Sequence, residues 1–156
     1  MKTIILFASK YGAAGEIARR IASRIKDATV HELKRGGNPS LDGFDCVILG
    51  SSVYAGMIRK EAKTFLSLNA AALQKKKLGL FLSGMETSGG NKFFETNFPR
   101  DILETAKATG FLGGIFDPKK AGLMERLIMK AVAKTSAYGN TIDDEKIEQF
   151  VESMKA

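Results

Sequence analysis

Apolar positions along this chain follow two patterns that alternate. Residues 2–8, Lys2-Thr3-Ile4-Ile5-Leu6-Phe7-Ala8, form a nearly unbroken apolar run. Residues 46–49 form a second, and residues 78–82 a third that only Gly79 interrupts. Runs of this length predict strands buried on both faces, as in a parallel sheet. Between them, Ile17, Ala18, Ile21, Ala22 and Ile25 recur at helical spacing, and Ala62, Phe65, Leu66 and Leu68 do the same. A weaker strand is predicted over residues 28–33, followed by the loop Gly36-Gly37-Asn38-Pro39. Further on, Asn97 is placed to cap a helix running to about Lys107, and residues 110–116 read as a fifth strand closed by Asp117-Pro118. Residues 123–134 are amphipathic. Thr141-Ile142-Asp143-Asp144 resembles a capping box ahead of a last helix that carries Ile147, Phe150, Val151 and Met154.

Strand and helix in alternation predict an α/β fold, a doubly wound five-stranded parallel sheet with helices on both faces, because parallel strands need right-handed crossovers. Ligands of such sheets bind at the carboxyl ends of the strands, where strand order reverses. Internal repeats, low-complexity tracts and a second boundary are all missing from the sequence, so one domain over residues 1–156 is expected. A domain of that size buries roughly 70% of its unfolded surface and can hold a cofactor without disulfide staples.

Three loops leave the carboxyl ends of the apolar runs, and all are small and polar. In the first, Ser9-Lys10-Tyr11-Gly12-Ala13-Ala14-Gly15 leads into a helix starting near Glu16. Amides at a helix start carry partial positive charge, and glycine or alanine lets a phosphate approach them, with Lys10 and the Ser9 hydroxyl able to assist. The spacing Gly-x-x-Gly matches neither the dinucleotide fingerprint nor a P-loop. A tight turn that simply needs glycine is the structural alternative. The second loop, Gly50-Ser51-Ser52-Val53-Tyr54-Ala55-Gly56-Met57, sets a tyrosine among small residues, free to lie flat on a planar ligand unless it belongs to the core. The third, Ser83-Gly84-Met85-Glu86-Thr87-Ser88-Gly89-Gly90-Asn91, is rich in backbone donors and suited to wrapping a polar heterocycle.

Leu6-Phe7-Ala8-Ser9-Lys10-Tyr11-Gly12 with Glu16-Ile17-Ala18, and then Gly50-Ser51-Ser52-Val53-Tyr54, resemble the flavodoxin family, and the order of elements agrees over nearly the whole chain. Within that superfamily, the carboxyl third from Glu125-Arg126-Leu127-Ile128-Met129-Lys130 through Asp143-Asp144-Glu145-Lys146-Ile147-Glu148-Gln149-Phe150 is most similar to menaquinone-dependent protoporphyrinogen dehydrogenases. The resemblance implies a flavodoxin-like fold that binds flavin mononucleotide (FMN). The phosphate would lie on Ser9, Lys10, Tyr11, Gly12, Ala13 and Ala14. The ring would lie between Ser51, Ser52, Val53, Tyr54, Ala55 and Gly56 on one side and Ser83, Gly84, Met85, Glu86 and Asn91 on the other. It also implies an oxidoreductase passing electrons from a reduced substrate, such as protoporphyrinogen, to a quinone or a redox protein partner. This chain departs from the family where phosphate loops present several hydroxyls: Ala13, Ala14 and Gly15 present none.

Charge changes the picture of partners. The net charge is +7 and the pI about 9.5, whereas shuttle flavodoxins are typically acidic. Residues 143–156 carry net −3, which leaves +10 on the rest. A basic body favours anionic partners. Arg126, Lys130 and Lys134 recur every four residues on one helix face, an arrangement suited to peripheral contact with an anionic membrane surface; the alternative is a helix packed on the sheet with its cations in water. Nucleic acid is disfavoured, since Phe93 and Phe94 beside Lys92 are the one aromatic hint among basic residues. Lys75-Lys76-Lys77 reads as a solvated loop, and Met124 and Met129 as core or interface filler.

Cys46 stands alone, which excludes an internal disulfide or a cysteine-built metal site and agrees with a reducing cytoplasm; beside Val47 and Ile48 it reads as core. His31 has no second histidine with which to share a metal. A serine nucleophile elbow is missing from Gly50-Ser51-Ser52, and no residue is singled out as an acid or base catalyst. With no apolar run near the ~20 residues that span a bilayer, a cytoplasmic protein, peripheral at most to the membrane's inner face, is expected. Two other readings stay open: a small electron shuttle without a substrate of its own, and a flavin-free α/β binding module with a basic face.

Overall fold

Thr3–Ala8 (β1) is buried at every position, and so is Cys46–Tyr54 (β3) through its first seven residues, because both run through the middle of a sheet covered on two sides. The computed structural model describes residues 1–34, 37–86, 90–119, 122–123, 127, 130 and 139–156. The other strands are Ala28–Glu32 (β2), Met57–Ile58 (β4), Lys77–Ser83 (β5), Ala108–Phe111 (β6), Ile115–Phe116 (β7) and Gly139–Asn140 (β8). Five of them pair in parallel in the order β2-β1-β3-β5-β6. β4 doubles back antiparallel on the end of β3, while β7 and β8 form a separate two-stranded ribbon.

The helices divide between the two faces. Ala13–Ala22 (α1) and Asp144–Lys155 (α5) cover one, burying Ile17, Ile21, Ile147, Phe150 and Val151 against Ile5, Ile48 and Phe81. Lys60–Leu73 (α2) and the short helices Lys92–Asn97 (α3) and Arg100–Thr105 (α4) cover the other, with Phe65, Leu73, Phe94 and Ile102 against Leu6, Leu49 and Leu80. Arg24 joins α1 to α5 through Glu148 at 2.9 Å and Asp144 at 3.3 Å, and Arg20 joins Asp144 at 3.2 Å. Arg20 also hydrogen-bonds Glu16 and holds that carboxyl below its ordinary value. Cys46 is buried core, and burial pushes its thiol up.

The doubly wound parallel sheet is as expected, but several boundaries move. β3 does not end at Leu49; it continues through Gly50-Ser51-Ser52-Val53-Tyr54, because Gly50 and Ser51 go on pairing with Phe7 and Ala8, residues 50–52 with Phe81, Leu82 and Ser83, and Val53 and Tyr54 with β4. Glycine at 50 makes room for the Phe81 ring, which a Cβ would meet at 2.0 Å. α1 starts at Ala13, not near Glu16. Asn97 ends α3 and caps nothing, and Pro99 precedes α4. The fifth strand spans Ala108–Phe111; Gly113, at φ +96°, breaks the extended chain, and Ile115 and Phe116 pair with β8 instead. Asp143, not Thr141, caps the last helix, its carboxylate accepting from the Glu145 and Lys146 amides. Leu68 faces solvent at 63% exposure. Of the predicted amphipathic helix, Leu123, Leu127 and Lys130 are described and all are exposed; Arg126 and Lys134 lie outside the described residues.

Candidate functional site

Strand order reverses between β1 and β3: α1 carries the chain from β1 to β2 on one face, and α2 carries it from β3 to β5 on the other. The carboxyl ends of these two strands therefore open a crevice. β1 leaves through Ser9, Lys10, Tyr11 and Gly12. Gly12 takes φ +90°, a left-handed turn that glycine enters without strain, and its N–H donates to Ser9 Oγ at 2.9 Å. The Lys10 amide donates to Ser52 Oγ on β3 at 3.1 Å, which ties the loop across the crevice. Gly12 supplies the carbonyl for the first helical bond, from the Glu16 amide at 3.0 Å. The amides of Ala13, Ala14 and Gly15 have no partner within the helix and carry the positive end of its dipole. Gly15 presses on Phe7, where a Cβ would lie 2.9 Å from the ring.

The second predicted loop is in fact a hairpin. β3 runs to Tyr54 and turns through Ala55 and Gly56, at φ 51° and 80°, the positive pair that a two-residue hairpin requires. Asn97 latches it: its Oδ1 accepts from the Ile58 amide at 3.0 Å, and its Nδ2 donates to the Gly56 carbonyl at 2.9 Å and the Phe93 carbonyl at 2.8 Å. Tyr54 is half-buried and belongs to neither core cluster, so its ring is available to the crevice. Lys10 Nζ lies 3.9 Å from the centre of that ring and 5.8 Å from the Tyr11 ring, close enough for cation–π attraction. Tyr11 in turn meets Phe116 edge to face at 5.8 Å.

The third loop leaves β5 at Ser83. Gly84 donates to the Gly113 carbonyl at 3.0 Å, and Gly114 approaches the Gly84 backbone so closely that a Cβ would lie 2.6 Å from it. Met85 reaches the β7–β8 ribbon, with its Sδ 3.8 Å from Thr141 Oγ1.

Together these segments enclose a cavity of about 240 Å³. Lys10, Tyr11 and Ala13 line it from the first loop, Ser52, Val53, Tyr54, Ala55 and Gly56 from the hairpin, and Ser83, Gly84, Met85 and Glu86 from the third loop. Ser9, Gly12 and Ala14 stand beside it, in the turn and first helical turn, without lining it. The Ser51 hydroxyl is turned to the α2 face, where it accepts from the Arg59 amide at 2.9 Å and donates to the Ser52 carbonyl. Asn91 lines a neighbouring groove with Thr109, Lys146 and Gln149. Thr87, Ser88 and Gly89 lie outside the described residues.

Phe93, Phe111, Gly114 and Ile115 complete the wall, and none was singled out from sequence as a site residue. A signal existed for one of them: Phe93 and Phe94 are adjacent in a six-residue helix and so point in different directions; Phe94 is buried in the core, while Phe93 is half-buried between the core edge and the cavity. Among the buried side-chain polar atoms described, two lack a partner, Ser83 Oγ and Arg59 Nε. Ser83 is fully buried at the cavity wall, so its hydroxyl is a donor and acceptor left without a protein partner there.

Fold and site together define a doubly wound α/β protein with a ligand crevice at its topological switch point. Residues 4–143 match the family model described as "Flavodoxin domain", and the chain belongs to that family. It is 32% identical over 77 residues to "Protoporphyrinogen IX dehydrogenase [quinone]" of Escherichia coli K12, a match spanning 47% of this chain and 42% of that protein. Less than half the length of this curated relative is thus covered. Among solved structures, oxidised flavodoxin 2 from Bacillus cereus is 22% identical with a TM-score of 0.59, covering 99% of this chain and 98% of that one. A flavoprotein in complex with FMN from Lactobacillus acidophilus NCFM is 19% identical with a TM-score of 0.50, over 72% of this chain and 91% of that one. Likeness at these identities establishes the fold. Among the described residues, no helix is long and apolar enough to cross a membrane.

Proposed function

We propose that this chain binds FMN at the carboxyl edge of β1, β3 and β5 and serves as an oxidoreductase coupling a reduced donor to a quinone or another carrier. The observation that carries this reading is the fully buried, unpartnered Ser83 hydroxyl in the wall of a cavity at the switch point, beside Tyr54. Family membership and the FMN complex of the Lactobacillus flavoprotein support the choice of cofactor. When bound, FMN supplies the redox chemistry.

The residues present fit the group. Amides at the α1 start and Lys10 would bind the phosphate. Tyr54 would lie against the ring and, as an electron-rich neighbour, oppose the build-up of negative charge on it. The Ser83 hydroxyl and the Met85 amide would favour that charge. Phe93, Phe111, Val53 and Ile115 form apolar walls that exclude water from the ring. Quinone as acceptor, and protoporphyrinogen as donor, rest on the resemblance to the E. coli relative. Leu123 and Leu127, 74% and 55% exposed beside exposed Lys130, support contact with an anionic membrane surface, where a membrane quinone is met.

Purified protein should be yellow and release FMN identifiable by mass. Flavin-free protein should bind FMN far more tightly than riboflavin, and the loaded protein should pass electrons to a soluble quinone analogue. Colourless protein that takes up no flavin would overturn the proposal.

A further inference from the structure

Two consecutive serines of β3 anchor the backbones of two basic residues on opposite faces of the sheet. Ser52 Oγ accepts from the Lys10 amide at 3.1 Å on the α1 side, and Ser51 Oγ accepts from the Arg59 amide at 2.9 Å on the α2 side. Ser51 is paired in register with Ala8, the last residue of β1, so Arg59 starts beside the residue from which the first loop departs. Lys10 within that loop and Arg59 beside the end of β1 are therefore anchored to neighbouring residues of β3.

Arg59 is half-buried, its Nε wholly so, and among the described residues its side chain makes no hydrogen bond or ion pair. Glu61, two residues on, does not pair with it. A guanidinium keeps its charge at any pH a protein meets, and a buried donor without an acceptor calls for one from outside the chain. What the first loop lacks is complementary. Ser9 is the only serine or threonine between β1 and the end of α1, and its oxygen already accepts from Gly12. A phosphate monoester carries nearly two negative charges and three strong acceptor oxygens, more than one hydroxyl and the helix amides absorb.

We infer that Arg59 is a phosphate-binding residue: it reaches over the end of β1 and grips the phosphate of the bound mononucleotide from the α2 side, opposite Lys10 and the α1 amides. This rests on the FMN reading above. Arginine suits the task because its planar fork gives two parallel hydrogen bonds to one phosphate, so a single side chain replaces the missing hydroxyls. Ser51 then acts as a positioning residue, fixing where the Arg59 backbone begins.

The test titrates flavin-free wild type, Arg59→Gln and Arg59→Lys with FMN and with riboflavin, and measures the thermal midpoint of the flavin-free proteins with and without inorganic phosphate. Loss of a charge-assisted pair should weaken FMN binding by about 10- to 100-fold in Arg59→Gln, with riboflavin affinity unchanged. Arg59→Lys should fall between, keeping the charge and losing the fork. Phosphate should raise the midpoint of wild type and not that of Arg59→Gln. If Arg59→Gln fails to fold, Arg59→Lys is read alone by the same criterion, FMN weakened and riboflavin not. An unchanged FMN-to-riboflavin ratio in the variants would overturn the inference while leaving the FMN reading intact. Wild type that binds both flavins equally would overturn the phosphate role of Arg59 and the first loop together, and wild type that binds neither would overturn the flavin reading itself.

Discussion

Replacing Ser83 by alanine should move two measurements in opposite directions. Ser83 ends β5, opposite Ser52 in register, and is fully buried with an oxygen that meets no partner. Burying an unpaired hydroxyl costs about 1–3 kcal/mol, so Ser83→Ala should stabilise the flavin-free protein, and even 1 kcal/mol would raise its thermal midpoint by about 2–4 °C in a chain of this size. No cavity is opened, because only one oxygen is removed from a site that ends at the crevice wall. In the loaded protein the same oxygen is the one a polar flavin atom would meet. Losing a neutral hydrogen bond worth about 0.5–1.5 kcal/mol should weaken FMN binding about 2- to 12-fold. Thermal melts of stripped protein give the first quantity and quenching of flavin fluorescence the second. A variant that melts lower without flavin would mean that the hydroxyl has a structural partner, and unchanged FMN affinity would mean that the ring does not reach β5. Either result would refute the assignment of Ser83 to the ligand.

Three other outcomes are expected. Tyr54→Ala should leave the flavin-free midpoint nearly unchanged, since the ring is outside both core clusters, yet weaken FMN binding by about 1–3 kcal/mol and raise the potential of the last reduction step; equilibrium unfolding beside flavin titration and potentiometry separates this from a core role. Gly50→Ala should destabilise the fold by about 1–3 kcal/mol or more in denaturant unfolding, because its Cβ would lie 2.0–2.3 Å from three atoms of the fully buried Phe81 ring. Changing Arg126, Lys130 and Lys134 together to glutamine should weaken binding to acidic liposomes, read by co-sedimentation, by roughly two orders of magnitude at low salt, at about 1 kcal/mol per cation; binding that ignores lipid charge would remove these three cations as the docking surface.

The alternation of buried strands and amphipathic helices was legible in the chain, because strands covered on both faces must be apolar at every position and helices on one stripe only. So were the three loops at the carboxyl ends, since small residues and glycines mark where backbone must turn or approach a ligand. Ser52, Tyr54 and Ser83 could be nominated in this way. Their duties could not. That Ser51 turns from the crevice to the Arg59 amide while Ser52 turns to the Lys10 amide follows from the two-residue period of β3, and so from β3 continuing past Leu49 in register with Ala8 and Leu82. Asn97, read locally as a cap, proves to latch a hairpin some forty residues earlier in the chain. Phe93, Phe111, Gly114 and Ile115 become one wall only when α3, β6 and the β7–β8 ribbon meet. Local patterning carries the information that each segment needs to bury its own apolar surface; which polar groups then face one another, and which are left unpaired for a ligand, is decided by contacts between segments distant in sequence.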